Sequence, residues 1–374
     1  MVAKKKQAKA KKEKVNFDLI IHTLIVAIVI IFLVNLIFTF SITNKFNERI
    51  DNLIEEQRPA DISLTVINIG CSNCQSIQTV VDAVKSSNVN ILNELILNSQ
   101  DAVELINKYN IGNLPTVIVT GETNKTNLNG FVESGDALIY DNIALPHYSV
   151  AQNRVVGEVN AVIINPENCE KCYNAGFLTT QLKQSGIAII KTEIKTQLQS
   201  QKEIQELGIK KLPVVIFSED MKEYQSIAQA WNEIGFIKNN KYVAVNFPPP
   251  YFDIVTSQIK GLVKVIYIAD KSCKTCYNVT NHRLILQRAG IEIGKEQTVD
   301  ITSAEGKQLL TKYKITKVPT VMFSKDINDY ESFIDVLLTV AEKQSDGNVV
   351  FTKPEVMGIY KDLILNKEIN PSQK

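Results

Sequence analysis

The sequence predicts an α/β protein: one N-terminal transmembrane helix, then three tandem copies of a single domain, each a central mixed sheet flanked by helices. Three observations predict it. Residues 19–40, LIIHTLIVAIVIIFLVNLIFTF, form an apolar run with no formal charge when His22 is neutral. A C-x-x-C pair recurs as CSNC (71–74), CEKC (169–172) and CKTC (273–276). A proline heading an apolar strand follows each pair, 44 residues from Cys71 to Pro115, 44 from Cys169 to Pro213 and 46 from Cys273 to Pro319.

The elements follow in order. Residues 1–18 read as a basic tail, since Lys4, Lys5, Lys6, Lys9, Lys11, Lys12 and Lys14 crowd its start. The whole 374-residue chain carries 41 Lys+Arg against 40 Asp+Glu, and setting aside those seven lysines and Glu13 leaves 34 against 39. A mildly acidic body argues against nucleic acid as partner. At helical rise, residues 19–40 span roughly 30 Å, the hydrocarbon thickness of a bilayer. The run lacks the polar stripe of a core helix and is longer than the apolar stretch of a signal peptide. It therefore reads as a retained single-pass anchor whose partner is the lipid bilayer. The lysines put the N-terminus in the cytoplasm and the domains outside it, at the cell membrane. Residues 41–60 keep Phe46, Ile50, Leu53 and Ile54 at helical spacing up to Pro59, so a helical stalk is expected, its apolar face resting on the first domain or on another copy.

The three copies are expected at 61–155, 156–258 and 259–366, with a tail at 367–374. Each opens on a strand-like run, ISLTVINIG (62–70), NAVIINPEN (160–168) or LVKVIYIAD (262–270), that ends at a cysteine pair. A helix should follow; in the first copy Ile77, Val80, Val81 and Val84 recur at i, i+3, i+4, i+7. A second helix leads to the proline-headed strand in NLPTVIVTG, KLPVVIFS and KVPTVMFS. Beyond it, FSEDMKEYQS (217–226) and FSKDINDYES (323–332) share Phe, Ser, Asp, Tyr and Ser in register, including Tyr224 and Tyr330. A closing strand and turn follow in YVAVNFPPP (242–250) and NVVFTKP (348–354), shortened in the first copy to ALIYDNIALP (137–146).

All six cysteines lie in the three pairs. Such a pair can be a redox couple, half of a zinc site or a local staple. Zinc needs four ligands, which the pairs supply only by meeting across domains, and His147 and His282 have no partner at finger spacing. A metal-handling protein and a non-catalytic docking protein are the alternatives to an enzyme. Thiol–disulfide exchange needs an attacking thiolate of lowered pKa, which the start of a helix supplies, and it calls for no cofactor and no metal.

Strand, C-x-x-C opening a helix, strand, helix and proline-headed strand resemble the thioredoxin superfamily, and the tandem array resembles the multi-domain protein disulfide isomerases. The resemblance covers about residues 61–365. It implies nucleophilic thiolates at Cys71, Cys169 and Cys273, resolving thiols at Cys74, Cys172 and Cys276, and cis prolines at Pro115, Pro213 and Pro319. The backbone before each proline would offer hydrogen bonds to a bound peptide. It also implies a thiol-disulfide oxidoreductase whose partners are protein thiols and disulfides of exported proteins and a further redox protein. The chain departs from the family in lacking the Trp before the first cysteine and the Gly-Pro between the two. The strand position six before the nucleophile, acidic in many members, is Thr65, Ile163 and Tyr267, which leaves the proton acceptor of the resolving thiol unidentified.

Neighbouring charges separate the copies. Cys169 is flanked by Glu167 and Glu170, Cys273 by Lys271 and Lys274. Negative neighbours raise a thiol's pKa and positive ones lower it, so the third pair should be the most oxidising and the second the most reducing. Electrons would then pass from the middle copy to the third.

Overall fold

The computed structural model describes residues 17–373; the lysines at 4–14 and Lys374 lie outside the described residues. The apolar run and the stalk form one helix of 41 residues, Phe17–Gln57, about 60 Å long at ordinary rise. No Gly or Pro interrupts it, and Pro59 follows its end. One helix among the described residues is long and apolar enough to cross a bilayer, and none of its apolar window is buried. Phe46, Leu53 and Ile54 on the stalk are exposed, so the stripe does not rest on the first sheet. The helix end is tied down electrostatically instead: Glu55 pairs with Lys125 at 2.6 Å and Arg58 with Glu122 at 2.5 Å.

Beyond the helix lie three five-stranded sheets of one topology. In space the first runs Val89–Asn98, Ala60–Asn68, Thr116–Gly121, Ala137–Tyr140, Phe131–Ser134, with the first pair parallel and the rest antiparallel. The second runs Ile189–Thr196, Val159–Asn165, Val214–Phe217, Lys241–Ala244, Gly235–Lys238, and the third Ile293–Asp300, Val263–Ala269, Thr320–Phe323, Val349–Phe351, Ala341–Lys343. Each parallel pair needs a crossover, and the helices Gln78–Lys85, Gly176–Gln184 and Asn281–Arg288 supply it. The central strands of the second and third sheets are largely apolar because they are covered on both faces, whereas Ala60–Asn68 alternates buried residues with the half-buried Asp61, Ser63 and Thr65. Val263, Val265 and Tyr267 pack into one cluster with Leu286, while Ile266 and Ile268 pack into another with Val299 and Tyr313.

The described chain divides into two compact units. One holds the long helix and the first sheet. The other holds the second and third sheets together with Ile69–Ser76 and Gly112–Pro115.

The repeated tyrosines now have a structural account. Tyr224 donates its hydroxyl proton to the carbonyl of Gly157 at 2.7 Å and accepts the N–H of Ala188 at 3.0 Å. Tyr330 repeats this on Gly261 at 2.7 Å and Glu292 at 2.9 Å. Burial pushes the Tyr330 hydroxyl up to about 12, so it stays a donor throughout the physiological range. Each tyrosine thereby fixes the chain entering its sheet.

Three further sheets of three strands were not expected. The two residues before each repeated proline, Asn113–Leu114, Lys211–Leu212 and Lys317–Val318, pair with a hairpin from later in the chain, at 147–156, 251–260 and 360–369, each running across the end expected for its copy at 155, 258 or 366.

Candidate redox site

The central strand and the proline-headed strand run antiparallel, Ile164 opposite Val214 and Ile268 opposite Thr320. That register sets Pro213 beside Asn165 and Pro319 beside Ala269, and the chain leaving those two residues reaches its first cysteine four positions later, at Cys169 and Cys273. In the first copy, Cys71, Cys74 and Pro115 lie together in the second compact unit. The bonds Leu114–Pro115, Leu212–Pro213 and Val318–Pro319 are all cis. Each C-x-x-C closes on itself as a disulfide, with Cα separations of 5.3 Å for Cys71–Cys74, 5.3 Å for Cys169–Cys172 and 5.6 Å for Cys273–Cys276. All six cysteines are half-buried.

The pairs do not open their helices, which corrects the expectation drawn from the sequence. Helical residues begin at Gln78, Gly176 and Asn281, four, four and five positions after the second cysteine. Side chains and neighbouring backbone hold the intervening residues instead. Asn174 Oδ1 accepts the Gly176 N–H at 3.0 Å, and Asn278 Oδ1 accepts the Thr280 N–H at 3.0 Å. The N–H after the second cysteine donates elsewhere, Tyr173 to the carbonyl of Pro250 at 3.1 Å and Tyr277 to that of Ile359 at 2.9 Å. A helix terminus acts on charge only within about one turn, so it does little for these thiolates.

The third copy has the most developed surroundings. Tyr277 donates its hydroxyl proton to the carbonyl of Pro319 at 2.9 Å, which makes His282 Nε2, 3.2 Å away, the donor of their shared hydrogen bond. The imidazole packs edge-on to Phe351 at 4.7 Å. Burial pushes the Tyr277 hydroxyl up and pulls His282 down to about 4. Asp270, three residues before Cys273, is also buried. Burial pushes its carboxyl up, but Lys361 at 2.6 Å and two bonds from Ser272 offset this, leaving it below the usual carboxylate value. Asp270 is the acidic group near the pair that the position six residues before Cys273, occupied by Tyr267, does not provide.

One pattern recurs in all three loops. The residue before the second cysteine is held by a carboxylate: Asn73 by Glu158 at 2.8 Å, Lys171 by Glu292 at 2.8 Å, and Thr275 by Glu368 at 2.5 Å. Lys171 also donates to the carbonyl of Ile293 at 2.7 Å. That contact bears on electron transfer. Ile293 pairs with Val263 at the start of the third sheet's parallel strands, whereas Cys273 follows Ala269 at their other end. Six residues at about 3.3 Å each set the second and third pairs roughly 20 Å apart. The expected direct passage of electrons from the middle pair to the third is not built into this arrangement.

The edges before the prolines, which the resemblance would leave for a peptide, are already paired within the chain. Leu212 stands opposite Phe252, Val318 opposite Lys361, and Leu114 opposite Tyr148. The hairpins had a signal in the sequence: HYSVAQNRVV, YFDIVTSQIK and YKDLILNKEI are three related ten-residue segments. Their turns end on Asn153, Ser257 and Asn366, whose φ values of 51°, 53° and 45° are left-handed.

Strand order, parallel first pair, cis proline and C-x-x-C together define the class: each copy is a thioredoxin-like domain, and the protein is a tandem array of three, each carrying a disulfide-bonded C-x-x-C. No family model matches the chain, and no curated protein matches it. Among solved structures it is similar to a protein disulfide oxidoreductase from Aeropyrum pernix, at 16% identity over 45% of this chain and 77% of that one, with a TM-score of 0.15. It is also similar to ERdj5, at 14% identity over 75% of this chain and 39% of that one, with a TM-score of 0.14. Human ERp44 matches at 10% identity over 77% of this chain and 86% of that one, with a TM-score of 0.15. The fold of each copy is defined by its own strand order, not by these superpositions.

The buried histidine has a measurable consequence. With its folded pKa at about 4 against an ordinary 6.5, His282 binds a proton more readily in the unfolded chain. Stability is then fully present above about pH 6.5, declines as pH falls toward about 4, and levels off below, a loss of about 3 kcal/mol. Amide exchange in the strand Val263–Ala269 should accelerate over that window, and in His282→Gln the acceleration should be largely removed. Equal pH dependence in parent and variant would assign the effect to another group.

Proposed function

We propose that the chain is a membrane-anchored, extracytoplasmic thiol–disulfide oxidoreductase, an oxidase, isomerase or reductase of protein disulfides in exported proteins, with domains at 61–155, 156–258 and 259–366. The observation that carries this is the threefold recurrence of a half-buried C-x-x-C disulfide together with a cis proline. Cys71, Cys169 and Cys273 are the attacked or attacking sulfurs, and Cys74, Cys172 and Cys276 the resolving ones. In the oxidising direction a substrate thiolate attacks Cys273, the Cys273–Cys276 bond breaks, and Cys276 leaves as a thiolate. A second substrate thiolate then attacks the substrate sulfur of the mixed disulfide and releases Cys273. Two electrons pass to the C-x-x-C pair, and the substrate gains one disulfide; reduction is the reverse. The apolar helix and the lysines at 4–14 support the anchored topology.

The test is turnover by the full chain in detergent micelles: reduction of insulin by a thiol donor, or reactivation of a scrambled disulfide protein. Protease added to intact cells or spheroplasts should digest the domains and leave a small membrane-held fragment. Protection of the domains would reverse the topology and favour a reductive role. The paired edges favour a second reading, a docking protein with inert disulfides. Alkylation that finds no thiol of lowered pKa, with a partner protein still bound, would select it.

A further inference from the structure

We propose that the C-terminal hairpin, 360–369, is an internal occupant of the third site, and that an extended, cysteine-bearing polypeptide reaches Cys273 by displacing it. The inference rests on the exchange chemistry just proposed and adds how a protein substrate is admitted.

The hairpin lies where a substrate strand would lie. Its first strand takes the backbone of Lys317–Val318, the two residues before Pro319, in antiparallel register. Its approach, at Ile359, accepts the N–H of Tyr277, the residue after Cys276. A peptide added to this edge would need the same backbone groups, since strand addition draws its affinity from main-chain hydrogen bonds. One edge cannot serve two strands. Apparent affinity for a peptide is therefore lowered by the fraction of time the hairpin is in place.

The hairpin is held by contacts that can be released one at a time. Lys361 is paired with Asp270 at 2.6 Å, Glu368 accepts from Thr275 at 2.5 Å, and two residue pairs join the edge. Both side-chain latches end on the redox loop itself, one at Asp270 before Cys273 and the other between the two cysteines. The hairpins of the first and second copies are bound further. Arg154 of the first pairs with Asp220 at 2.8 Å, and the residues following the two hairpins, Gly157 and Gly261, are held by Tyr224 and Tyr330. Opening either would also strip bonds from the sheet that follows. The third opens at the cost of its two latches, a short edge with the Leu363 N–H bond to the Thr316 carbonyl, and the packing of Tyr360 and Leu363, but it strips no bond from a following sheet, so polypeptide substrates should be taken at Cys273, while small disulfides need no edge and are taken wherever sulfur is accessible.

The test uses the full chain with Cys71, Cys74, Cys169, Cys172 and Cys276 changed to Ser, so that Cys273 forms a stable mixed disulfide. Two probes release the same thionitrobenzoate leaving group on attack by the Cys273 thiolate: the small disulfide dithiobis(nitrobenzoate), and an extended peptide whose cysteine carries thionitrobenzoate. Glu368→Ala removes one latch at an exposed position, and Lys361→Met removes the other. Glu368→Ala should raise the rate with the peptide by roughly threefold or more and leave the rate with the small probe unchanged; for Lys361→Met, which leaves Asp270 without its cation beside Cys273, the peptide rate should rise by the same factor relative to the small-probe rate. Hydrogen exchange at 360–369 should also rise once the peptide is attached to Cys273 in the chain whose hairpin is unaltered. Should Lys361→Met fail to fold, with Asp270 left buried and unpaired, Glu368→Ala and the exchange measurement decide. A peptide rate that does not move, or a hairpin still protected beneath the attached peptide, overturns the displacement. Failure of both probes to react with any variant would instead overturn the oxidoreductase reading.

Discussion

Changing Cys71, Cys169 and Cys273 together to Ser is expected to abolish turnover of protein disulfides by the full chain, a loss of about a thousandfold or more. A serine hydroxyl is not ionised at neutral pH and cannot form the mixed disulfide, so the variant retains only whatever attack the second cysteines can make. The single replacements are more informative. With the second and third pairs roughly 20 Å apart, no obligatory relay joins them, and each single variant should keep the activity of the intact sites. Because each variant keeps two of the three sites, the three residual rates should sum to about twice the parental rate in insulin reduction. Loss of all turnover in Cys71→Ser or Cys169→Ser would require a relay, and hence a rearrangement of the Lys171–Glu292 contact, whereas a dominant loss in Cys273→Ser alone is what admission of polypeptides at the third site produces. Undiminished turnover in the triple variant would end the enzyme assignment.

Trp231→Ala should cost the second sheet about 3–5 kcal/mol. The indole is fully buried, meets Phe217 edge-on at 5.6 Å and Tyr242 at 5.2 Å, and donates its N–H to the Phe236 carbonyl at 3.2 Å. Truncation leaves a cavity among rigid strands and an unsatisfied carbonyl. Trp231→Phe keeps most of the volume and should lose about 1–2 kcal/mol less than the alanine variant. Because Trp231 is the chain's one tryptophan, its fluorescence follows this sheet in the parent, and amide exchange in Val159–Asn165 follows it in the variants. A loss below about 1 kcal/mol would mean that the surroundings collapse onto the gap.

The parts of the fold legible in the sequence are those whose burial imposes a pattern. VIYIA, 265–269, is an unbroken apolar run because both faces of that stretch are covered, and the three prolines stand out because each heads such a strand. The hairpins are hidden for the opposite reason. Their strands are three residues long, and their tips expose Val255, Ile364 and Leu365, so no alternation between buried and solvated positions marks them. The late helix starts were misread because Asn174 and Asn278 divert backbone donors through side-chain bonds that periodicity does not register. At the candidate site, the cysteines and prolines were visible as repeats. Asp270 was missed because its partner, Lys361, is 91 residues away, and His282 because its role depends on a tyrosine hydroxyl and a distant carbonyl.

The carboxylates that hold Asn73 and Lys171 both stand at the threshold of the sheet that follows, Glu158 immediately before Val159 and Glu292 immediately before Ile293. Such a joint has two unlike halves, and the second copy carries both: it offers its cysteine loop to the third at Glu292 and accepts the loop of the first at Glu158. Interfaces of this kind join copies head to tail. A gene that duplicates one such module inherits the joint ready-made, and lengthening the array demands no new surface. The cysteine loop is then under two selections at once, as a chemical centre and as a fastening. A copy that loses its exchange chemistry still has reason to keep the geometry of its loop.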